Sequence, residues 1–600
     1  MPDESRKKLL SLWNDRMGTV KKYKNAIIDE NKWETYIDEF KGKYDVVLGN
    51  QYVPPINEVY AYVESSKATL FQRNPYIAVN AKKTGTILGS YIWEAILNHD
   101  WAEMHVKDDV ELEIDDTILV GHGWHKVGTN VQTSGSGSQL RLASEKLYSN
   151  RVSWRDMFFN IGAKRPSVDA LWMAQRIYLP TDDLKEEYGA RAAKLKGSPY
   201  PALGEKVRKD MLYKDDVNFS AIYEIWDARK RQIYLLADET LGDFLEDPKP
   251  WPDYLDEFPF QMLSFNEIPD EAYPMSDIAS WNVQILEKIK IFTMILNHVK
   301  RGNRQLVMKK GVMTEQEKDK YEKGIDGSIL DAKIPMNADI QTAFKFLDYG
   351  QMPADYYLIL DRIDQVMNKV RGQPDFEQGA NTKTQTRTLG ELQMIQGGAQ
   401  GRSGRKLDRI ERHCENIARH HMFNRKNSLS LDEVVRITGN EPQEILAALQ
   451  KEGKFDPVTR TIHYSKEDIQ GEYDVGVKAG STLPLDKTTR DATLKEVLQM
   501  AIPLASAPTL PPFISAIMGE LVKDYEIKSL DAAFKAQQDA IAQKDQGNAM
   551  TQEAEMAKVE SETQKRQAQA QQIHTETIIK TANALGKASG DIHHEASILK

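Results

Sequence analysis

The chain holds one cysteine in 600 residues, Cys414. A single thiol cannot close an intramolecular disulfide or build a multi-cysteine zinc site, and this usage fits synthesis in a reducing cytoplasm. Long apolar runs are missing too. No stretch approaches the roughly 18 residues of a membrane span, and the mean hydropathy is -0.55. The opening MPDESRKKLLSLWNDRM carries charge on both sides of a short apolar stretch and lacks the long core and small-residue cleavage site of a secretory signal. Positive charge is not in excess: 79 Lys and Arg face 89 Asp and Glu, a net charge of -10. Tight DNA binding draws its affinity from neutralised phosphates, so contact with DNA is expected to be weak, local or transient. From Lys535 onward proline, tryptophan, tyrosine and phenylalanine are absent, which leaves that tail without an aromatic core.

What is present reads as a globular chain, 40% hydrophobic and 28% charged, long enough for two or more regions. The fold class expected is α+β, predominantly helical. Residues 1–110 read as mostly helical, with Trp13, Tyr23, Trp33, Tyr36 and Phe40 as aromatic anchors. Pro54 and Pro55 open a helix over 56–71, and Tyr76, Ile77 and Val79 start an extended segment after Pro75. One helix is expected over 86–121. Residues 122–270 turn to strands: GWHKVGTNVQ and QLRLASEKLY flank a Ser/Gly tip, YEIWDARKRQIYLLAD turns at 227–231, and the proline-rich 247–274 is an extended wrap.

The clearest helix spans 276–301, where Ile278, Trp281, Ile285, Ile289, Phe292, Leu296 and Val299 step by three and four. Val283, Leu286, Ile291, Met294 and Ile295 widen the apolar arc, so this helix is buried on several sides, in a core or between neighbours. A second helix over 353–371 has Pro353 at its start, Gly372 past its end, and Tyr356, Ile359, Ile363, Val366 and Val370 on its apolar face. Between the two, strands are expected at 305–308 and 343–346. The loop QPDFEQGANTKTQTRT that follows is too polar to bury itself. A long helix over 389–423 is expected to kink at GGAQGRSG, residues 397–404, where four glycines each weaken it by about 1 kcal/mol. Beyond, Leu407, Ile410, Cys414, Ile417 and His421 share one face, and Arg402, Arg405, Arg409, Arg412 and Arg419 share another. Short helices and strands return over 430–480, and a helical block broken by SAPTLPP covers 486–530. Drawn as one helix, the tail from Lys535 would reach about 100 Å and needs many copies of itself for support.

No motif for catalysis, metal or cofactor emerges. In QGGAQGRSG, Gln396 stands where a phosphate loop has its first glycine and Arg402 replaces the lysine. His122 and His125 lack a third ligand nearby. His413, Cys414, His420 and His421 are expected on different helix faces, and His593 and His594 lack the HExxH spacing. No Ser, His and Asp arrangement stands out, so enzyme activity is not expected. Trp281 and Phe292 read as core or interface rather than a ligand-stacking pair. Lys288, Lys290, Lys300 and Arg301 read as a solvated face, or in a ring as one turned toward a channel.

Several strings, in this order, resemble the portal (head-to-tail connector) proteins of tailed bacteriophages: VPPINEVYAYVESSKATLFQRNPYIAV, FPFQMLSFNEIPDEAYPMSDIASWNVQILEKIKIF, TKTQTRTLGELQM and EYDVGVKAGSTLP. The Ala/Gln-rich tail is similar to the helical barrel of podovirus-type portals. The resemblance implies a wing over 1–275, stem helices over 276–301 and 353–372, and a clip over 302–352. It further implies a tunnel loop over 373–388, a kinked tunnel helix over 389–424, a wing return over 425–485, a crown over 486–530 and a barrel or tail over 531–600. Trp281, Ile285, Phe292, Ile359, Ile363 and Val366 would pack the stem. Gln373, Asp375, Phe376, Glu377, Gln378, Asn381, Lys383, Gln385 and Arg387 would line the channel. Lys288, Lys290, Arg402, Arg405, Arg409, Arg412 and Arg419 would meet DNA or acidic residues of the adjacent subunit. The implied partners are sister copies in a dodecameric ring, double-stranded DNA passing without sequence specificity, the terminase large subunit, capsid and scaffold proteins, and neck, adaptor and tail proteins. The implied place is the capsid portal vertex of a virion made in a bacterial cytoplasm, with no membrane. Two other readings stay open: a phage scaffold or tail component with a coiled-coil tail, and a nucleotide-using enzyme.

Overall fold

A computed structural model describes residues 3–44, 56–134, 141–198, 218–237, 244–302, 306–323, 331–335, 339–346, 353–372, 389–427, 432–436, 443–465, 467–478, 481–482, 562–578 and 580–581. The chain divides into two compact units, Met1–Pro484 and Leu485–Lys600. In the second, the described residues are helical and exposed along their length.

The first unit mixes helix and sheet in an α+β arrangement. Its helices of eight residues or more are α1 (Asp3–Glu30), α2 (Trp33–Phe40), α3 (Glu58–Leu70), α4 (Ile87–Glu103), α5 (Val106–Val120), α6 (Thr181–Tyr188), α7 (Asn282–Gly302), α8 (Glu315–Lys323), α9 (Asp355–Arg371), α10 (Leu389–Lys426) and α11 (Gln443–Lys451). The strands are β1 (Ile77–Ala81), β2 (His122–Ser134), β3 (Arg141–Val152), β4 (Met157–Phe159), β5 (Trp172–Pro180), β6 (Phe219–Asp227), β7 (Gln232–Ala237), β8 (Lys249–Pro250), β9 (Phe260–Ser264), β10 (Leu306–Met308), β11 (Phe344–Phe346), β12 (Asp432–Arg436), β13 (Phe455–Asp456), β14 (Thr461–Ser465) and β15 (Tyr473–Val477).

Two antiparallel sheets organise the unit. The first runs β4-β5-β6-β7-β8, and α1 covers it by burying Leu9, Leu10, Trp13, Met17 and Val20 at helical spacing. Lys24 on the same helix is buried and donates to the carbonyls of Trp154 and Met157 at 2.5 and 2.6 Å. Burial first, then the charge of Arg176, pushes its pKa well down. The second sheet runs β3-β2-β9. Its long hairpin pairs Trp124 with Val152 at the base, and both α5 and α10 pack on it. Trp33, Trp93, Trp101, Trp124, Trp154 and Trp281 lie in one continuous core around this sheet. A pairing of β1 with β15, Ile77 opposite Val477, closes the far end of the unit onto its beginning, and the indole of Trp93 donates to the Ile469 carbonyl.

Both expected hairpins and both expected stem helices are present, and the strand pair inside 302–352 forms with Leu306 opposite Phe346. Four expectations need correction. The helix expected over 86–121 is two: α4 ends before His105, whose left-handed φ of 53° turns the chain into α5. The regular helix expected from 276 begins at Asn282, because Ser276 and Asp277 use their side chains elsewhere: Ser276 donates to the Ile118 carbonyl and accepts from the Ile278 N–H. The interruption that the glycines at 397–404 suggest is absent, since α10 is helical without a break over 38 residues. Glycine lowers helix stability without removing a hydrogen bond, and the buried turns after Ile410 hold the rest. Tyr23 is exposed rather than an anchor.

Gly121 ends α5 at φ 96°, and a Cβ there would lie 2.2 Å from the Pro274 carbonyl oxygen. Gly121→Ala therefore combines backbone strain with a clash against main chain. Urea unfolding should show a loss of more than about 1 kcal/mol; an unchanged midpoint would refute this account of the turn.

Candidate functional site

The chemistry-bearing residues gather where α7, α9 and α10 meet. The helix α9 ends at Gly372 in the left-handed conformation, φ 72°, with its N–H on the Asn368 carbonyl. The next orphan carbonyls, of Lys369 and Val370, accept from the Arg402 guanidinium at 3.2 and 3.0 Å. A cation at a helix C-terminus also opposes the negative end of the dipole. The left-handed φ favours Gly372, and a Cβ there would also displace the Arg402 side chain, lying 2.7 Å from its Cδ. One turn further, Lys406 reaches the Asp277 carboxylate and the Tyr62 hydroxyl, which itself donates to Asp277 at 3.1 Å. Burial alone would lower the Lys406 pKa, and the Asp277 charge beside it more than reverses that, leaving it raised. The Tyr62 phenol is pushed up to about 12, by burial first and then by Asp277.

A second set of pairs binds α7 and α9 to α3. The Arg371 guanidinium lies 3.8 Å over the Trp281 ring and donates to Glu58 at 2.7 Å. Glu58 also accepts from Lys288, which is shared with Asp364 on α9. Behind these pairs lies a groove of about 950 Å³, walled by segments 164–168 and 261–280, the end of α9 and the middle of α10. Eight Lys and Arg but only four Asp and Glu line it, a local basic excess on an acidic chain.

The structure gives most of the basic-face residues partners within the chain. Arg402 caps α9, Arg409 pairs with Glu267 at 2.6 Å, Arg412 with Asp408 at 2.7 Å, and Arg419 with Glu257 at 3.1 Å. Lys288 pairs with Glu58 and Asp364, and Lys290 with Glu287. Within the chain these cations are paired with its own acidic side chains and carbonyls. Arg405 is exposed. The stem residues divide as well: Trp281 and Ile285 are fully buried in the chain's own core, Phe292 and Ile363 are half-buried, and Ile359 and Val366 are exposed. Met367, which the sequence pattern did not single out, is the buried residue of α9. Gln373, Asp375, Phe376, Glu377, Gln378, Asn381, Lys383, Gln385 and Arg387 lie outside the described residues, as do the block 486–530 and His593 and His594.

Sequence reasoning missed a second constellation. Glu113 on α5 accepts from His125 Nδ1 at 2.6 Å and His413 Nε2 at 2.7 Å. His125 Nε2 lies 2.6 Å from Ser149 Oγ, and His421 Nε2 lies 2.7 Å from the same oxygen. Gly123 makes the approach possible, since a Cβ there would lie 2.5 Å from the Glu113 carbonyl oxygen. His413, Cys414, His420 and His421 point to different sides of α10, yet all four are buried, because the helix is covered on a broad arc by the sheet and by α4. Glu113–His125–Ser149 has the connectivity of a Ser-His-acid triad. Ser149 is buried and its hydroxyl already meets a second imidazole, so no substrate carbonyl reaches it in this conformation. Among the described residues no cluster of His, Cys, Asp and Glu is arranged to hold a metal, and no helix is long and apolar enough to cross a membrane. No family model matches the chain, and no curated protein matches it.

The Lys406–Asp277 pair is testable by a double-mutant cycle with Lys406→Met and Asp277→Asn. A coupling of about 0.5–3 kcal/mol in urea unfolding is expected for partners in one network, whereas additive losses would separate the two residues.

Proposed function

We propose that this chain is the subunit of a portal ring, a non-enzymatic channel at one capsid vertex through which a tailed phage packages and ejects its DNA. The observation that carries the reading is on the stem. α7 and α9 pack side by side, yet their outer surfaces leave Val283 68%, Met294 56%, Val299 56% and Leu358 65% exposed. Single exposed apolar residues are ordinary; a group of them on two adjacent helices marks an interaction surface. Because the two helices also bury Trp281, Ile285, Ile289 and Met367 inward, the exposed set is left for sister copies, as a head-to-tail interface that closes into a ring requires.

The rest follows the order of parts. The insert between the stem helices, with its β10–β11 pair and the charged helix α8, would serve as the clip that docks the terminase large subunit and later the neck, adaptor and tail proteins. The sheets of the wing would meet capsid and scaffold proteins. The polar segment 373–388 would face DNA at the constriction without sequence specificity, and the acid–base pairing of the arginines suits a conduit that must not grip phosphates. The exposed Ile573 and Ile578 on the tail helix favour self-association of that tail, which a scaffold or tail component with a coiled coil would share.

Native mass and negative-stain images separate the two readings: a closed ring of about twelve copies with a central hole supports the portal, and rods or small oligomers of any protein concentration would overturn it. Leu358→Glu together with Val283→Glu should shift the assembly to monomers with an unchanged far-UV spectrum. Retention of the ring by that variant would remove these stem surfaces from the interface.

A further inference from the structure

The Glu113–His125–Ser149–His421 chain, with His413 on its other end, ties α5, β2 and β3 to the C-terminal half of α10 through groups that are all buried. Its hydrogens can be placed. A carboxylate only accepts, so His125 Nδ1 and His413 Nε2 carry protons toward Glu113. A hydroxyl has one hydrogen, so of the two imidazole nitrogens at Ser149 one donates and the other accepts. The Nδ1 atoms of His413 and His421 have no partner. One arrangement leaves no buried N–H orphaned: His421 Nε2–H donates to Ser149, Ser149 donates to His125 Nε2, and every imidazole is neutral. An extra proton on His421 must sit on Nδ1, where nothing accepts it.

The surroundings decide which end of the chain fails first. A charge on His125 or His413 lies against the Glu113 carboxylate. Around His421 stand Trp101 and Asp100 from α4, with Asp100 held bidentate by Arg425 at 2.7 and 2.9 Å. His420 and Arg425 come from α10 itself, His125 from β2 and Ser149 from β3. Gln261 of β9 meets His420, Arg151 of β3 is taken by Asp116, and β15 brings Asp474, paired with Lys82. Of these groups Asp100 favours a proton on His421, but its carboxylate is already committed to Arg425.

We propose that this relay is a protonation-sensitive latch: with its histidines neutral it holds the C-terminal half of α10 on the β3-β2-β9 sheet, and a proton taken up at His421 releases that half of the helix. Burial, the larger cause, pushes the His421 pKa down to about 3 from its ordinary 6.5. The released or unfolded form therefore binds the extra proton first, and stability is lost as pH falls below about 6.5. Glu113, held down near 2 by the histidines against the opposing effect of burial, adds loss only below its ordinary 4.5. His122, buried beside Trp33 and also pushed to about 3, makes the whole protein acid-sensitive with the same sign. The latch must therefore be read locally.

Hydrogen–deuterium exchange on the full chain, as assembled, provides that reading. Protection of amides 410–426 should fall roughly tenfold per pH unit below about 6.5, more steeply than that of the β5–β6 ladder, which contributes no member of the relay. His421→Gln retains a donor for Ser149 and cannot be protonated, so its loss should begin at least one pH unit lower. Equal onset in wild type and His421→Gln, or unchanged protection of 410–426 in wild type between pH 7 and pH 5, would overturn the latch. If the glutamine variant fails to fold, the wild-type exchange profile alone still decides. A fluorophosphonate probe captured on Ser149 at pH 7 would also overturn it, because the hydroxyl would then be open rather than bridged.

Discussion

Three elements far apart in sequence meet on one carboxylate, Asp277. It accepts from Tyr62 on α3, from Asn266 after β9 and from Lys406 on α10, while the segment that carries it leads directly into α7. A nearly buried carboxylate is costly unless hydrogen-bonded and paired, so these partners must arrive together. The orientation of α7 relative to the long helix α10 thus follows from one charge that tolerates no vacancy.

The same logic extends along α10. This helix has few large apolar side chains for its length and carries a basic stripe, so apolar burial alone does not position it. Arg402 docks it to the end of α9, Lys406 to Asp277, Arg409 to Glu267, and the His413–Glu113 and His421–Ser149 bonds to the hairpin. Polar docking of this kind is directional, and it specifies register and rotation where a greasy face would allow slippage. It also leaves the helix responsive to proton uptake in a way that an apolar seam is not.

Much of the fold was legible because its signals are local. The helical spacing of Ile285 and Ile289, the Pro353 and Gly372 punctuation and the two hairpins need only neighbouring residues to be recognised. The break between α4 and α5 was not, because His105 adopts a left-handed conformation without a glycine to announce it. The arginine stripe was visible, but its partners Glu267, Glu257 and the α9 carbonyls lie elsewhere in the chain, so its role was not. The relay joins positions up to 300 residues apart. Its one sequence trace was polar residues at inward-facing places, Glu113 amid VELEIDDTILV and His413, His420 and His421 beside the apolar face of α10.

The unbroken passage of α10 through four glycines has a mechanical consequence. Upstream of Arg402 the helix is made of its least stable turns; downstream, its side chains are clamped at close intervals. Unwinding therefore stops at Arg402, and each residue that leaves the helix gains roughly 2 Å of reach, the difference between extended and helical rise. Fraying that begins at Leu389 thus consumes only the glycine-bearing turns, leaving the docked half of the rod undisturbed.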